Sequence, residues 1–492
     1  MLLVVRLRQV ATSAGLAAVL LYSSIQVAWG AGSSIPQPHF PRFDKQVTIT
    51  WWTWTANADK VIAAFNKVYP NIHVIHPLIG SSSAEYNKLT TTLKAGVGAP
   101  DVVQIEYQYL PKFIDTGGLL DISKYVEYAK SYFLDWTWRQ ASRGQQVYAI
   151  PEDIGPLALL YRPDVFKRNG LTPPKTWNQF GEEAVQFHHR HPNQYLTYFP
   201  VNDGGLITGL LWQAGAHPFH YTADGWEINI DSPQARKVMN FWGKLIAQGA
   251  IQATNDWTPQ WESEIGQGVY ASVIGAAWSP TYMIEPYVKP STKNWRASDI
   301  PQWNASGPFM DGNWGGSTNA VTVQTKYPQA AALFAAWINS SAAAEVLDVT
   351  DIDKEGRGQM PANRYGEQLP KFFAPNPALE NQVSAPVFVK AAKSVDTSFE
   401  WSPWTDFVYN EMTIEFTKAA KGDETWDQAL ANIQQHTVVF AKSMGYRVKD
   451  MDGTESTGSH SVPPALVVLL VLLAAAALAV IMRRIRTKDV SV

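Results

Sequence analysis

The chain contains no cysteine among its 492 residues. That excludes disulfide staples, thiolate metal sites, thiol nucleophiles and any anchor through a lipidated cysteine. Charge is sparse as well: Asp, Glu, Lys and Arg make up 17% of the residues, and the formal net charge is -3. A nucleic-acid binder would carry a concentrated basic face, and nothing in this balance marks one. No short repeat period is visible, which argues against a solenoid. What is present in excess is tryptophan. Trp, Tyr and Phe each occur 20 times, although Trp is ordinarily the rarest of the three. An indole can be buried only where its N–H finds a partner, so an excess of Trp fits either a large aromatic core or a surface that stacks flat ligands.

Both ends speak to compartment. Arg6 and Arg8 precede an apolar stretch, Val10 to Trp29, followed by the small residues Gly30 and Ala31. This is the pattern of a secretory signal cut near Gly30, with an uncleaved N-terminal anchor as the alternative. At the other end, Ala465 to Met482 is an unbroken run of 18 apolar residues; as a helix it would span about 27 Å, close to the hydrocarbon thickness of a bilayer. Arg483, Arg484, Arg486 and Lys488 follow at once, which predicts a cytoplasmic tail and an external body. A Gly/Ser/Thr-rich linker ending in Pro463-Pro464 precedes the run.

The body reads as alternating strands and helices. Val47–Thr53 is β-branched and aromatic, and Asn57–Tyr69 follows with Val61, Ile62, Phe65 and Val68 on one helical face. Ile72–Ile79 and Asp101–Ile105 read as strands around a helix at Glu85–Lys94. The pattern recurs more loosely with strands at Val147–Ile150, Leu157–Tyr161, Val269–Ala277 and Ala320–Val323. Helices are predicted at Trp177–His188, Ser232–Ile246, Gln329–Ile338, Met412–Ala420 and Trp426–Met444. Alternation of this kind predicts two α/β lobes with mostly parallel sheets covered by helices. In such sheets ligands bind outside the carboxyl ends of the strands, so the loops there are the place to look.

Several ordered segments resemble the family 1 extracellular solute-binding proteins of ABC importers, the group that contains maltose-binding protein. They are ITWWTWTANADKVIAAF (49–65), LTTTLKAGVGAPDVVQIEYQYLPKFIDTGGLLDI (89–122), YAIPEDIGPLALLYRPDVFKRNGLTPPKTWNQF (148–180), GVYASVIGAAW (268–278), WGGSTNAVTVQTKYPQAAALFAAW (314–337) and GDETWDQAL (422–430). The resemblance covers about residues 45–445. It implies a type II periplasmic-binding-protein-like fold, two lobes joined by a hinge and closing on a ligand. Lobe 1 is expected over 45–151 and 311–360, and lobe 2 over 152–310 with closing helices at 361–448. A signal peptide (1–30), a linker (449–464), one transmembrane helix (465–482) and a cytoplasmic tail (483–492) complete the chain. The implied partners are an ABC permease and its ATPase. The body is expected to act as a monomer without cofactor or metal, and the helix at 465–482 to replace the family's usual lipidated cysteine.

A pyranose offers an apolar face that packs on an aromatic ring and a rim of hydroxyls that needs acceptors and donors. Loops that mix Trp or Tyr with acids and amides are therefore the candidates. Trp54 and Asn57 end the first strand, although helix capping would equally explain Asn57. Glu106, Tyr107 and Tyr109 follow the third strand, in a loop that supplies contacts in the family. Glu152 and Asp153 lie at the expected lobe crossing, and Asp153 matches an acidic ligand contact there. Asn202 and Asp203 precede Gly204-Gly205, where the family often contacts sugar and where a plain turn is equally consistent. Trp278 matches an aromatic that stacks on sugar, and Tyr282 is nearby. Trp314 precedes Gly315-Gly316-Ser317, where bare backbone at Gly316 could approach a ligand. Trp401 and Trp404 both resemble the family's late stacking aromatic.

The leading expectation is thus a receptor for a sugar-like molecule that performs no covalent chemistry. A polyamine receptor is the first rival, since acids and aromatics suit it too; the scarcity of Arg and Lys in these loops argues against an anionic ligand. A glycoside hydrolase with two carboxylates is the second. The His188, His189 and His191 cluster sits at a helix end, where solvated cations fit better than a metal site.

Overall fold

The computed structural model describes residues 38–80, 82–350 and 354–451. The expected signal segment, most of the linker, the apolar run at 465–482 and the basic tail lie outside them. No single helix among the described residues is long and apolar enough to cross a membrane.

The strands that organise the body are β1 (Val47–Trp52), β2 (Ile72–Ile75), β3 (Val102–Glu106), β4 (Ala149–Pro151), β5 (Leu157–Tyr161), β6 (Ser272–Ala276), β7 (Arg296–Ser298) and β8 (Ser317–Val321). The first sheet has the order β2-β1-β3-β8-β4. Its β2-β1-β3 part is parallel, while β8 runs antiparallel to both β3 and β4. Alternation decides the two faces. Ile49, Trp51, Val102 and Val321 face one core with Val61, Phe65, Phe334 and Trp337, whereas Trp52, Val103, Ile105 and Ala320 face a second with Leu89 and Phe113. Helices Ala58–Asn66, Ser82–Ala95, Leu110–Asp115 and Pro328–Ile338 supply those partners.

A three-stranded sheet, β6-β5-β7, is antiparallel throughout, which corrects the expectation of mostly parallel pairing. Its strands follow long excursions of chain that return along β5 in the opposite sense, and hydrophobic runs alone do not encode direction. Around it sits an aromatic cluster in which Trp177 meets Phe180, Trp242 and Trp303 at 5.4–5.5 Å between ring centroids. Much of the tryptophan excess is spent here and in the first core. Trp51, Trp177, Trp212 and Trp295 are fully buried with each indole N–H donating to a protein acceptor at 2.8–3.0 Å, whereas the equally buried Trp242 has no such acceptor, which corrects the expectation that every buried indole is partnered.

The chain passes between the sheets at 152–156 and again at 299–316. These stretches bond to each other and to 360–362. Gly155 O accepts from Trp314 N at 2.8 Å, Ile154 N donates to Met360 O at 2.9 Å, and Ala362 N donates to Glu152 O at 3.0 Å. Two sheets, each with its own helices, joined by a narrow set of crossing segments, make a two-lobed α/β body.

Candidate functional site

A cleft of about 710 Å³ opens over the crossing segments and takes its walls from both sheets. From the first lobe come the loops after β1 and β3. Gln104, inside the β3 end, accepts from Trp54 N at 3.1 Å and from Thr55 Oγ1 at 3.0 Å, which fixes the loop carrying Trp54. Glu106 accepts from the Tyr86 hydroxyl at 3.0 Å and from Gln108 Nε2 at 2.9 Å. Tyr86 also sits edge-on to Trp54, at 5.7 Å, and beside Tyr109, at 4.8 Å.

The second lobe contributes the opposite wall. Asp203 caps helix Gly204–Gln213, accepting from Leu206 N at 2.8 Å; this is why N-D-G-G opens a helix here rather than a plain turn. Its other oxygen faces the Trp257 indole at 3.4 Å. Trp257 lies 6.1 Å from Trp278 and 6.5 Å from Trp314, and those two rings are 4.6 Å apart. The Trp278 indole donates to Trp314 O at 3.0 Å. Gly316 has φ 86°, and a Cβ on it would stand 2.7 Å from Asp153 O, so only glycine brings this strand start so close to the crossing segment. Asp153 accepts from Ser317 N at 2.8 Å, and the Tyr282 hydroxyl donates to Arg357 O at 2.8 Å.

Of the residues expected from sequence, Trp54, Glu106, Tyr109, Asp153, Asn202, Asp203, Trp278, Tyr282, Trp314 and Gly316 line this cleft. Others stand outside it, for physical reasons. Asn57, in the left-handed region at φ 54°, donates through Nδ2 to Gly356 O at 2.7 Å and caps no helix N–H with its side chain. Tyr107 is fully buried under the loop against Trp136. Glu152 is buried in an ion pair with Arg357 and accepts from Asn319 Nδ2 at 2.9 Å. Trp404 packs into the core against Trp226, at 5.4 Å, and Tyr446, at 4.8 Å. Trp401 stacks edge-on to Phe399 and lines a separate cavity of about 490 Å³ with Tyr221, Trp226 and Tyr446.

Sequence reasoning missed Thr55, Gln108, Asp256, Trp257, Gln359 and Tyr409, all of which line the cleft. Asp256 and Trp257 follow the strand Gln252–Thr254, which pairs in parallel with Tyr198–Pro200. The signal was a loop at the carboxyl end of a parallel strand, but three residues reading QAT carry no strand pattern.

The described lining includes carboxyls at Glu106, Asp153, Asp203 and Asp256 and no Lys, Arg or His. Burial pushes Glu106 up to about 7, against the hydrogen bonds from Tyr86 and Gln108. Burial also raises Asp153 to about 6, with the Ser317 N–H opposing. Asp203 is raised by burial, opposed by the Leu206 N–H and the Trp257 indole. Asp256 rises furthest, to about 9, through burial and then the negative charge of Asp203. The site is thus a cation-free cleft whose lining combines four carboxyls, several hydroxyls and amides, and the indoles of Trp257, Trp278 and Trp314. Away from it, Glu411, Glu415 and His436 gather within metal-ligating reach, but the Lys418 ammonium already sits 2.6 Å from Glu415 and competes with any cation.

Residues 51–345 match the family model described as bacterial extracellular solute-binding protein. An arabinooligosaccharide-binding protein of Bacillus subtilis is 21% identical over 308 residues, 60% of this chain and 70% of that protein. A second protein of that description, from Halalkalibacterium halodurans, is 24% identical over 263 residues, 52% of this chain and 58% of its own length. Among solved structures, a binding protein of B. animalis subsp. lactis in complex with β-1,6-galactobiose superposes with a TM-score of 0.70 at 25% identity, covering 82% of this chain and all of that one. The galacto-N-biose/lacto-N-biose I-binding protein of Bifidobacterium longum does so at 0.72 and 23% identity, covering 83% and 100%. With its model matched over more than half of the sequence, the chain belongs to the bacterial extracellular solute-binding protein family.

Proposed function

We propose that this protein is the extracytoplasmic receptor of an ABC importer, and that it captures a mono- or oligosaccharide between its lobes and presents it to a membrane permease. One observation carries the ligand class. Trp257, Trp278 and the nearly buried Trp314 line one cleft together with four carboxyls and the amides of Gln108, Asn202 and Gln359. Indoles suit the apolar faces of sugar rings, and carboxylates accept from their hydroxyls. The sugar-binding descriptions of the relatives and structural neighbours support the same reading.

The expected lobe boundaries fit a hinge at the crossing segments, with 45–151 and 311–360 moving against 152–310 and 361–448 on closure. Trp54, Glu106, Tyr109, Asp153, Asp203, Trp278, Tyr282, Trp314 and Gly316 would contact the ligand, joined by Trp257 and Asp256. The apolar run at 465–482 with its basic tail would tether the body, and a monomer would suffice because the cleft is complete within one chain. Nothing in this role requires bond chemistry.

The absence of cations from the lining also favours a second reading, a polyamine receptor. Isothermal titration of the full-length chain in detergent against a panel of saccharides and spermidine separates the two. Saturable heat from a saccharide is expected. Heat from spermidine alone overturns the sugar class, and release of products from incubated glycans overturns the receptor role.

A further inference from the structure

Asp256 is the least satisfied group in the cleft. The residue is 1% exposed, yet neither carboxylate oxygen has a partner within hydrogen-bond distance and angle. The backbone contacts around it run elsewhere: Asp256 N donates to Asn202 Oδ1 at 3.0 Å, and Asn202 Nδ2 donates to Asp256 O at 3.2 Å. A buried acceptor left empty costs free energy unless a ligand fills it. Asp203 is different. It holds the helix N-terminal N–H on one oxygen and faces an indole N–H with the other, so it is served as a carboxylate.

Beside the pair stands Trp257. Its backbone lies at φ 56°, a region that bulky residues seldom occupy, and the residue is 42% exposed. A strained residue that keeps a large apolar ring in solvent at a cleft is a candidate for ligand contact. Two acidic side chains and an exposed indole face form a surrounding that attracts an ammonium group, through charge and through the ring quadrupole. No Lys, Arg or His in the described lining neutralises them.

We infer that the preferred ligand is a saccharide bearing a free primary amine, whose ammonium lies against the unpartnered carboxyl of Asp256, the carboxylate of Asp203 and the indole of Trp257. This rests on the carbohydrate reading above and narrows it. Asp203 and Asp256 lie close enough to feel each other's charge, and an ammonium placed against both would offset that repulsion. The other groups facing Asp256 add no cation; the Tyr198 phenol, close enough to feel its charge, is raised by burial and stays neutral.

The test uses matched pairs on the full-length chain: glucosamine against glucose, galactosamine against galactose, and the glucosamine disaccharide against cellobiose, with the N-acetylated forms as neutral controls. At least one amine should bind roughly tenfold tighter than its hydroxyl counterpart, and N-acetylation should remove the gain. Asp256→Asn should bring the amine down to the affinity of the neutral sugar. Trp257→Ala, at an exposed ring, should reduce the same preference in a protein that still folds. Neutral sugars binding as well as or better than the amines in every pair overturns the inference and leaves the receptor standing. No response to any sugar overturns both.

Discussion

Trp257 and Trp404 are both tryptophans in loop sequence, and their surroundings give them opposite duties. Trp257 is 42% exposed, while Trp404 is 2% exposed among Phe219, Trp226 and Tyr446. Trp257→Ala should therefore lower saccharide affinity by about 1–2 kcal/mol and leave the melting temperature nearly unchanged. Trp404→Ala should remove about 3–5 kcal/mol of stability through the cavity it opens, while the folded fraction binds sugar normally. Thermal melts paired with binding titrations check both. The sequence could not make this distinction. Trp401 and Trp404 match a stacking aromatic by position, but burial depends on what the chain brings alongside from Phe219, Trp226 and Tyr446, far away along it. Trp278 and Trp314 were legible because each follows or precedes a recognisable strand.

At the scale of elements, legibility tracked hydrophobic pattern. β1, β3 and β5, with their β-branched and aromatic runs, fall within a residue or two of the expected spans. Helix Gly204–Gln213 was hidden because its two leading glycines read as a turn, and only the Asp203 cap reveals it. Glu152 was expected in the cleft and instead anchors a crossing segment. Arg357, fully buried, pairs with Glu152 and with Asp348 at 2.7 Å, and Glu152 in turn accepts from the cleft residue Thr55 at 3.1 Å. The cost of burying Arg357 shows in its pKa, which burial lowers to about 9. Arg357→Leu would strand the Glu152 carboxylate in the interior, so a loss of about 3–5 kcal/mol in urea unfolding is expected, with weaker sugar binding as the unpaired Glu152 shifts and Thr55, which donates to it, shifts with it. Unchanged stability would show that this pair does not hold the crossing segments.

Across the whole molecule, buried carboxyls set the response to pH. Glu106 is pushed to about 7, Asp153 to about 6 and Asp256 to about 9 in the cleft, and Glu85 to about 8 and Glu367 to about 7 elsewhere, in each case chiefly by burial. A carboxyl whose folded value is raised binds more protons folded than unfolded. Its contribution is complete below the unfolded value, about 4, and is lost as pH rises through the folded value. The ligand-free protein should therefore melt at a lower temperature at pH 8 than at pH 5. Asp121, Asp396 and Glu415 are shifted down by their hydrogen bonds and ion pairs, and their contributions are lost only under more acid conditions. Asp256→Asn should flatten the fall between pH 5 and 8, and a melting temperature that rises across that window would contradict these assignments.

On the proposed function, saccharide enters the cleft lined by Trp257, Trp278 and Trp314. Titration of the intrinsic tryptophan fluorescence of the full-length chain with neutral and amine-bearing mono- and oligosaccharides tests it most directly. A saturable change in emission, weakened in Trp257→Ala, is the predicted result; emission that stays flat across every saccharide would contradict it.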